Sequence, residues 1–190
     1  MVAGDIEHLG GRAQVVPTDV AHWPQVALLE NAALARFGRI DTWINNAGVN
    51  EHAAVADITI EEIDRIVQVD LMGTIYGMKA ALGPMRSQRS GTILNVASVV
   101  SLRAAPLHAP YVASKHGVAR FTEALRMELM HEGMPIQLTM VMPSFIDTSL
   151  FLNARSKIGV QPRPVPPCMR LKLSSKQWCL LRSTNGSTSL

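Results

Sequence analysis

Three short apolar runs, residues 41–45, 92–96 and 136–142, are separated by stretches far longer than a hairpin turn, and those stretches carry helical spacing. Strands alternating with helices imply a parallel sheet covered by helices, and so an α/β fold. The first helix is expected over about residues 23–37, where Val26, Leu29, Ala33 and Phe37 recur on one face before Gly38. Thr59 followed three residues later by Glu62 reads as a capping box. The pattern behind it, Ile63, Ile66, Val67, Leu71, Ile75 and Met78, predicts a long helix stopping near Gly83 and Pro84. A further helix opens at Tyr111, turns Val118, Phe121, Leu125 and Leu129 inward, and stops at Gly133. At the amino-terminal end, residues 7–11 read as the last turn of a helix with a glycine stop. Residues 12–16 read as a short strand closed by Pro17, Thr18 and Asp19.

Chemistry concentrates in residues 98–115. Tyr111 and Lys115 are four apart, which puts both on one helix face. An ammonium beside a phenol favours phenolate, so the spacing predicts a tyrosine pKa below its usual value of about 10. Such a tyrosine suits proton exchange near neutral pH. Ser98 stands thirteen residues before Tyr111, at the end of the buried run 92–96, where the loop between can fold its hydroxyl toward the phenol. Upstream, Asn45-Asn46-Ala47-Gly48 ends another strand, and such small and amide residues let a ligand approach the sheet edge closely.

Together with Pro143-Ser144-Phe145-Ile146-Asp147-Thr148 downstream, these segments resemble the short-chain dehydrogenase/reductase family over roughly residues 10–152. The resemblance implies a Rossmann-like, doubly wound parallel sheet and an NAD- or NADP-dependent oxidoreductase. It would act on a small-molecule alcohol or carbonyl substrate. It implies Tyr111 as acid/base, Lys115 as the group lowering its pKa and holding the cofactor ribose, and Ser98 as a hydrogen-bond donor to the reacting oxygen. Asp70 occupies the place of a family asparagine that completes the proton relay; an ionised aspartate only accepts hydrogen bonds. Asn45, Ala47 and Gly48 would border the cofactor, with Pro143, Ile146 and Thr148 on its nicotinamide side, and Ser144 replaces the family's usual glycine. Asp19 would lie near the adenine, or would simply form a turn and a helix start. The helix at Tyr111 and the long one before it commonly face a second subunit in the family, so the resemblance implies a homodimer or homotetramer.

The glycine-rich strand–turn–helix that receives a dinucleotide pyrophosphate has no counterpart here, because Gly10-Gly11 precedes a strand pattern and opens no helix. The expected fold is therefore an incomplete Rossmann-like sheet without its first strand–helix–strand unit, in a family member truncated at its N-terminus. Residues 1–160 form this partial domain, and residues 161–190 form a proline-rich linker and an aberrant tail of disordered-looking composition. The net charge of +3 arises in the carboxyl-terminal region, which has no acidic residue after Asp147; residues 1–147 carry 11 basic and 15 acidic side chains. No basic face is organised for nucleic acid. No apolar run is long enough for a membrane span and no signal-peptide layout opens the chain, so a cytoplasmic protein is expected. Cys168 and Cys179 and the six histidines show no metal-ligand spacing. The competing reading is a catalytically silent partial domain unable to bind cofactor properly.

Overall fold

The computed structural model describes residues 2–144, 150 and 154–160. Helix α1 (Val2–His8) ends before Gly10, as the glycine stop predicts. Residues 11–19 then run without regular structure, so the strand expected over residues 12–16 is not formed. A strand needs a neighbour to receive its backbone hydrogen bonds. Among the described residues none pairs with this segment, Val15 is 73% exposed, and the Arg12 guanidinium rests over the Phe37 ring.

Helix α2 (Trp23–Phe37) matches its expected bounds and leads to β1 (Thr42–Asn45). Next come the two-residue strand β2 (Glu51–His52) and helix α3 (Ile60–Val67), which starts from the anticipated box. The Glu62 carboxylate accepts from the Thr59 N–H at 2.8 Å, and the Thr59 hydroxyl accepts from the Glu62 N–H at 3.3 Å. A π-helical turn over Gln68–Met72 joins α3 to α4 (Gly73–Gln88). The long helix thus passes through Gly83 and Pro84, contrary to the expected stop, and ends at Arg89 in the left-handed conformation. A proline inside a helix costs about 3 kcal/mol. Continuing for one more turn buries Met85 completely among Ile40, Ile93 and Leu129. That burial, worth roughly 1.5–3 kcal/mol, offsets much of the cost. The fit is close: a Cβ on Gly91 would collide with the Met85 side chain.

Strands β3 (Gly91–Val96) and β4 (Ile136–Val141) flank α5 (Ala109–His131), and β5 (Arg155–Ser156) pairs with β2. Strands β1, β3 and β4 form a parallel sheet in the order β1–β3–β4, with Thr42 opposite Thr92 and Gly91 opposite Ile136. This is a Rossmann-like parallel α/β arrangement, partial in extent. Helix α5 starts two residues ahead of Tyr111 and turns Val118, Leu125 and Leu129 inward; Phe121, expected inside, is 40% exposed. Helices α4 and α5 meet the sheet in a core of Met78, Ala81, Met85, Ile93, Leu125, Leu129 and Leu138. Thr59→Ala removes the helix cap and is expected to lower stability by about 1 kcal/mol, read as a lower urea midpoint with unchanged slope.

Candidate active site

The carboxyl ends of β1 and β3 bring the candidate side chains together. Ser98, two residues past β3, is extended (φ −165°) and caps the 3₁₀ turn Val99–Ser101: its hydroxyl accepts from the Val100 N–H, and the Ser101 hydroxyl accepts from the Ser98 N–H. The Pro143 carbonyl accepts from the Val99 N–H at 3.1 Å, so the loop after β4 lies beside Ser98. Tyr111, in the first turn of α5, is buried against Ala53, Ile58 and Ile66. One turn on, Lys115 is also buried, and its Nζ stands 5.5 Å from the centre of the Tyr111 ring. The four-residue spacing therefore does what it implied.

Lys115 Nζ donates to the Val96 carbonyl at 3.0 Å and lies 3.9 Å from Asp70 Oδ2. Asp70 is completely buried in the π-helical turn. Its Oδ1 accepts from the Val49 N–H at 2.8 Å, while Oδ2 has no hydrogen-bond partner among the described residues. Burial pushes the Asp70 carboxyl up to about 6, against the Lys115 charge and the Val49 N–H, which both hold it down. Burial likewise lowers the Lys115 pKa, opposed by Asp70.

Tyr111 departs from expectation. Its phenol is pushed up to about 12, by burial first and by the Asp70 charge second, with only the Ser98 hydroxyl pulling it down. The predicted fall presumed an ammonium acting on the phenol alone. Here that ammonium is directed at the Val96 carbonyl and the Asp70 carboxylate, and the carboxylate opposes phenolate formation.

At the end of β1, Ala47 and Gly48 are exposed, and a Cβ on Gly48 would lie 3.6 Å from Asp70 Oδ2. Their backbone lies beside Asp70. The Asn45 side chain is directed elsewhere: it accepts from Trp43 Nε1 and donates to Asn95 Oδ1, both at 2.8 Å. Asp19 is engaged as well: its carboxylate accepts from the Ala21 N–H within the turn, and from Arg65 Nη1 of α3 at 2.9 Å. Ile146, Thr148 and the tail 161–190 lie outside the described residues. A largely apolar cavity of about 350 Å³ runs along β1 between α2 and α4 and reaches Asn46 and Ala47, but Ser98, Tyr111 and Lys115 do not line it.

Sequence reasoning overlooked the Val49 N–H, which no side-chain pattern can signal. It also overlooked Asn95 and Thr122; an asparagine inside an otherwise apolar strand was the available clue. Among the described residues no group of three His, Cys, Asp or Glu could hold a metal, and no helix is long and apolar enough to cross a membrane.

The raised Asp70 pKa has a definite sign. The folded chain binds this proton more tightly than the unfolded chain, so Asp70 adds stability as pH falls from about 6 to about 4. His52, lowered to about 4 mainly by burial, acts oppositely over that range, but it is common to wild type and an Asp70→Asn variant. Between about pH 7 and pH 4, the stability difference between the two should therefore shift toward wild type by up to about 3 kcal/mol, measured by urea unfolding.

Residues 1–159 match the family model described as short chain dehydrogenase. The chain is 31% identical over 159 residues to the uncharacterised oxidoreductase YxnA of Bacillus subtilis, covering 83% of this chain and 45% of that protein. It is 38% identical over 139 residues to a protein of Streptomyces virginiae provisionally named a ketoacyl reductase of the monensin polyketide synthase, covering 72% and 52%. It is 35% identical over 180 residues to SadH of Mycobacterium tuberculosis, provisionally named an oxidoreductase, covering 94% and 65%. The chain thus spans about half to two thirds of the length of these relatives. With the match extending over most of its length, the chain belongs to the short-chain dehydrogenase family.

Proposed function

We propose that the chain carries the proton-transfer half of an NAD- or NADP-dependent site that interconverts a small alcohol and the corresponding ketone or aldehyde. The observation that carries this reading is the convergence of Ser98, Tyr111, Lys115 and Asp70 in one buried cluster at the carboxyl ends of β1 and β3. With its pKa near 12, Tyr111 is a neutral phenol at neutral pH, the protonation state needed to donate to a carbonyl oxygen during reduction. Ser98 donates a hydrogen bond to the same oxygen and holds it against the phenol. As the oxygen takes the Tyr111 proton, the nascent phenolate is stabilised by the Lys115 ammonium 5.5 Å from its ring centre. Reprotonation proceeds from the Lys115–Asp70 side, where Asp70, poised at about 6, exchanges protons near neutral pH. In the oxidative direction the same groups run in reverse.

The residues present suit the nicotinamide and ribose end of a dinucleotide. The exposed backbone of Ala47 and Gly48 offers a close approach, and the Lys115 ammonium beside the Tyr111 ring would supply the ribose contact. Pro143, Ile146 and Thr148 would flank the nicotinamide, Asn45 would support that edge from below, and Asp19 would face the adenine side. When bound, the nicotinamide supplies or accepts the hydride. A homodimer or homotetramer joined through α4 and α5 is consistent with the exposed Phe121, Met127 and Met130, and a cytoplasmic setting suits this chemistry.

Titration with NADH and NADPH, followed by nicotinamide fluorescence, tests the reading first. Saturable binding of either one supports it, and no binding of either returns the silent partial domain. In a chain that turns over, Tyr111→Phe should lower kcat by about 10²–10⁴-fold with cofactor affinity nearly unchanged. Wild-type turnover in that variant would remove Tyr111 from the mechanism.

A further inference from the structure

Beneath the site runs a line of buried polar groups that spans β1, β3 and α5. Trp43 Nε1 donates to Asn45 Oδ1 (2.8 Å), and Asn45 Nδ2 donates to Asn95 Oδ1 (2.8 Å). Asn95 Nδ2 donates to Thr122 Oγ1 (2.9 Å), and the Thr122 hydroxyl donates to the Val118 carbonyl (2.7 Å). Asn95 and Thr122 are completely buried. The direction of the line is chemically determined. An indole N–H can only donate, so it turns the Asn45 oxygen toward Trp43 and the Asn45 nitrogen toward Asn95. Asn95 must then accept from Asn45 and donate to Thr122, whose proton is left for a carbonyl, an acceptor only. Each amide is held in one orientation.

The ends of this line are the two parts of the site. Asn45 is the last residue of β1, immediately before Asn46, Ala47 and Gly48. Thr122 is on the same helix as Tyr111 and Lys115, two turns beyond Lys115, or about 10 Å along the axis. Lys115 itself is bonded to the carbonyl of Val96, the neighbour of Asn95. Helix α5 is therefore fastened to β3 at Asn95 and Val96, and β1 is fastened to Asn95. The packing leaves Asn45 little alternative: a Cβ on Gly77 would collide with its Oδ1 and with the Trp43 indole nitrogen.

We propose that Asn95 and Thr122 are positioning residues that set the register between the Tyr111–Lys115 helix and the cofactor-facing backbone of residues 46–48. The kinetic consequence rests on the hydride-transfer reading above; the structural consequence does not. The test uses the full chain with Thr122→Val, which keeps shape and removes the hydroxyl, and Thr122→Ser, which restores it. Met78→Leu serves as a control, because it removes only the sulfur that Asn95 also touches at 3.2 Å. Amide hydrogen exchange at Val49, whose N–H is held by Asp70 Oδ1 directly after residues 46–48, should speed up by about tenfold in Thr122→Val relative to amides of β4, and stay near wild type in the other two. NADH or NADPH should bind about tenfold more weakly to Thr122→Val alone, with KM for cofactor rising more than kcat falls. Exchange that rises evenly across the sheet, or not at all at Val49, would overturn the proposal. If Thr122→Val fails to fold, Trp43→Phe removes the donor at the opposite end and must give the same local signature for the proposal to stand. Absence of cofactor binding by wild type would sink the functional reading, while the exchange experiment would still decide this one.

Discussion

The buried contact between Lys115 and Asp70 is the interaction on which the rest of the site depends. Neither charge is well placed for solvation, since the two side chains are 5% and 0% exposed. Removing a charge from water costs several kcal/mol, and the attraction of a partner repays that only when the remaining bonds are supplied. Here Lys115 has the Val96 carbonyl and Asp70 has the Val49 N–H. One Asp70 oxygen is still unpartnered, and both pKa values shift toward neutrality. Burial thus moves both groups toward their neutral forms, against their mutual attraction, which is a poor arrangement for stability.

Asp70 reaches this position because the helix around it is irregular. The π-helical turn at Gln68–Met72 shifts the register between α3 and α4; such turns are rare and frequently lie at functional sites. Without it, the apolar faces of α3 and α4 would follow one continuous stripe. With it, Ile66 packs against Tyr111 on one side while Met78 and Met85 join the core under β3 on the other. The same turn aims the Asp70 carboxylate back at Val49, immediately after the exposed Ala47–Gly48 edge. The irregularity therefore connects the β1 loop to the α5 helix from above, while the Asn45–Asn95–Thr122 line connects them from below.

The outer edge of β1 has no strand beside it among the described residues, and the apolar cavity between α2 and α4 runs along that edge. Residues 12–16 show the consequence. Their composition favours a strand, but sheet formation rests on a neighbour more than on intrinsic preference, and no neighbour is present. The Ser98, Tyr111 and Lys115 cluster is far less affected, because β3 lies at the centre of the described sheet and is hydrogen-bonded on both sides.

Much of this was legible in the sequence. The capping box at Thr59 and the spacing of Tyr111 and Lys115 are local, and helix geometry of 3.6 residues per turn converts them directly into structure. The three parallel strands followed from short apolar runs separated by helical stretches. What the sequence could not determine depended on atoms brought together from afar. Tyr111 was expected to be more acidic, yet burial and the Asp70 carboxylate, 41 positions away in the chain, make it less so. Pro84 looked like a helix stop until the core supplied a site for Met85. Asn45 was expected to border the cofactor, but the engagement of its amide by Trp43 and Asn95 could not be read from the chain. Spacing along the chain determines which side chains share a face; only tertiary packing determines what that face is buried against, and hence the charge and the bonds each group retains.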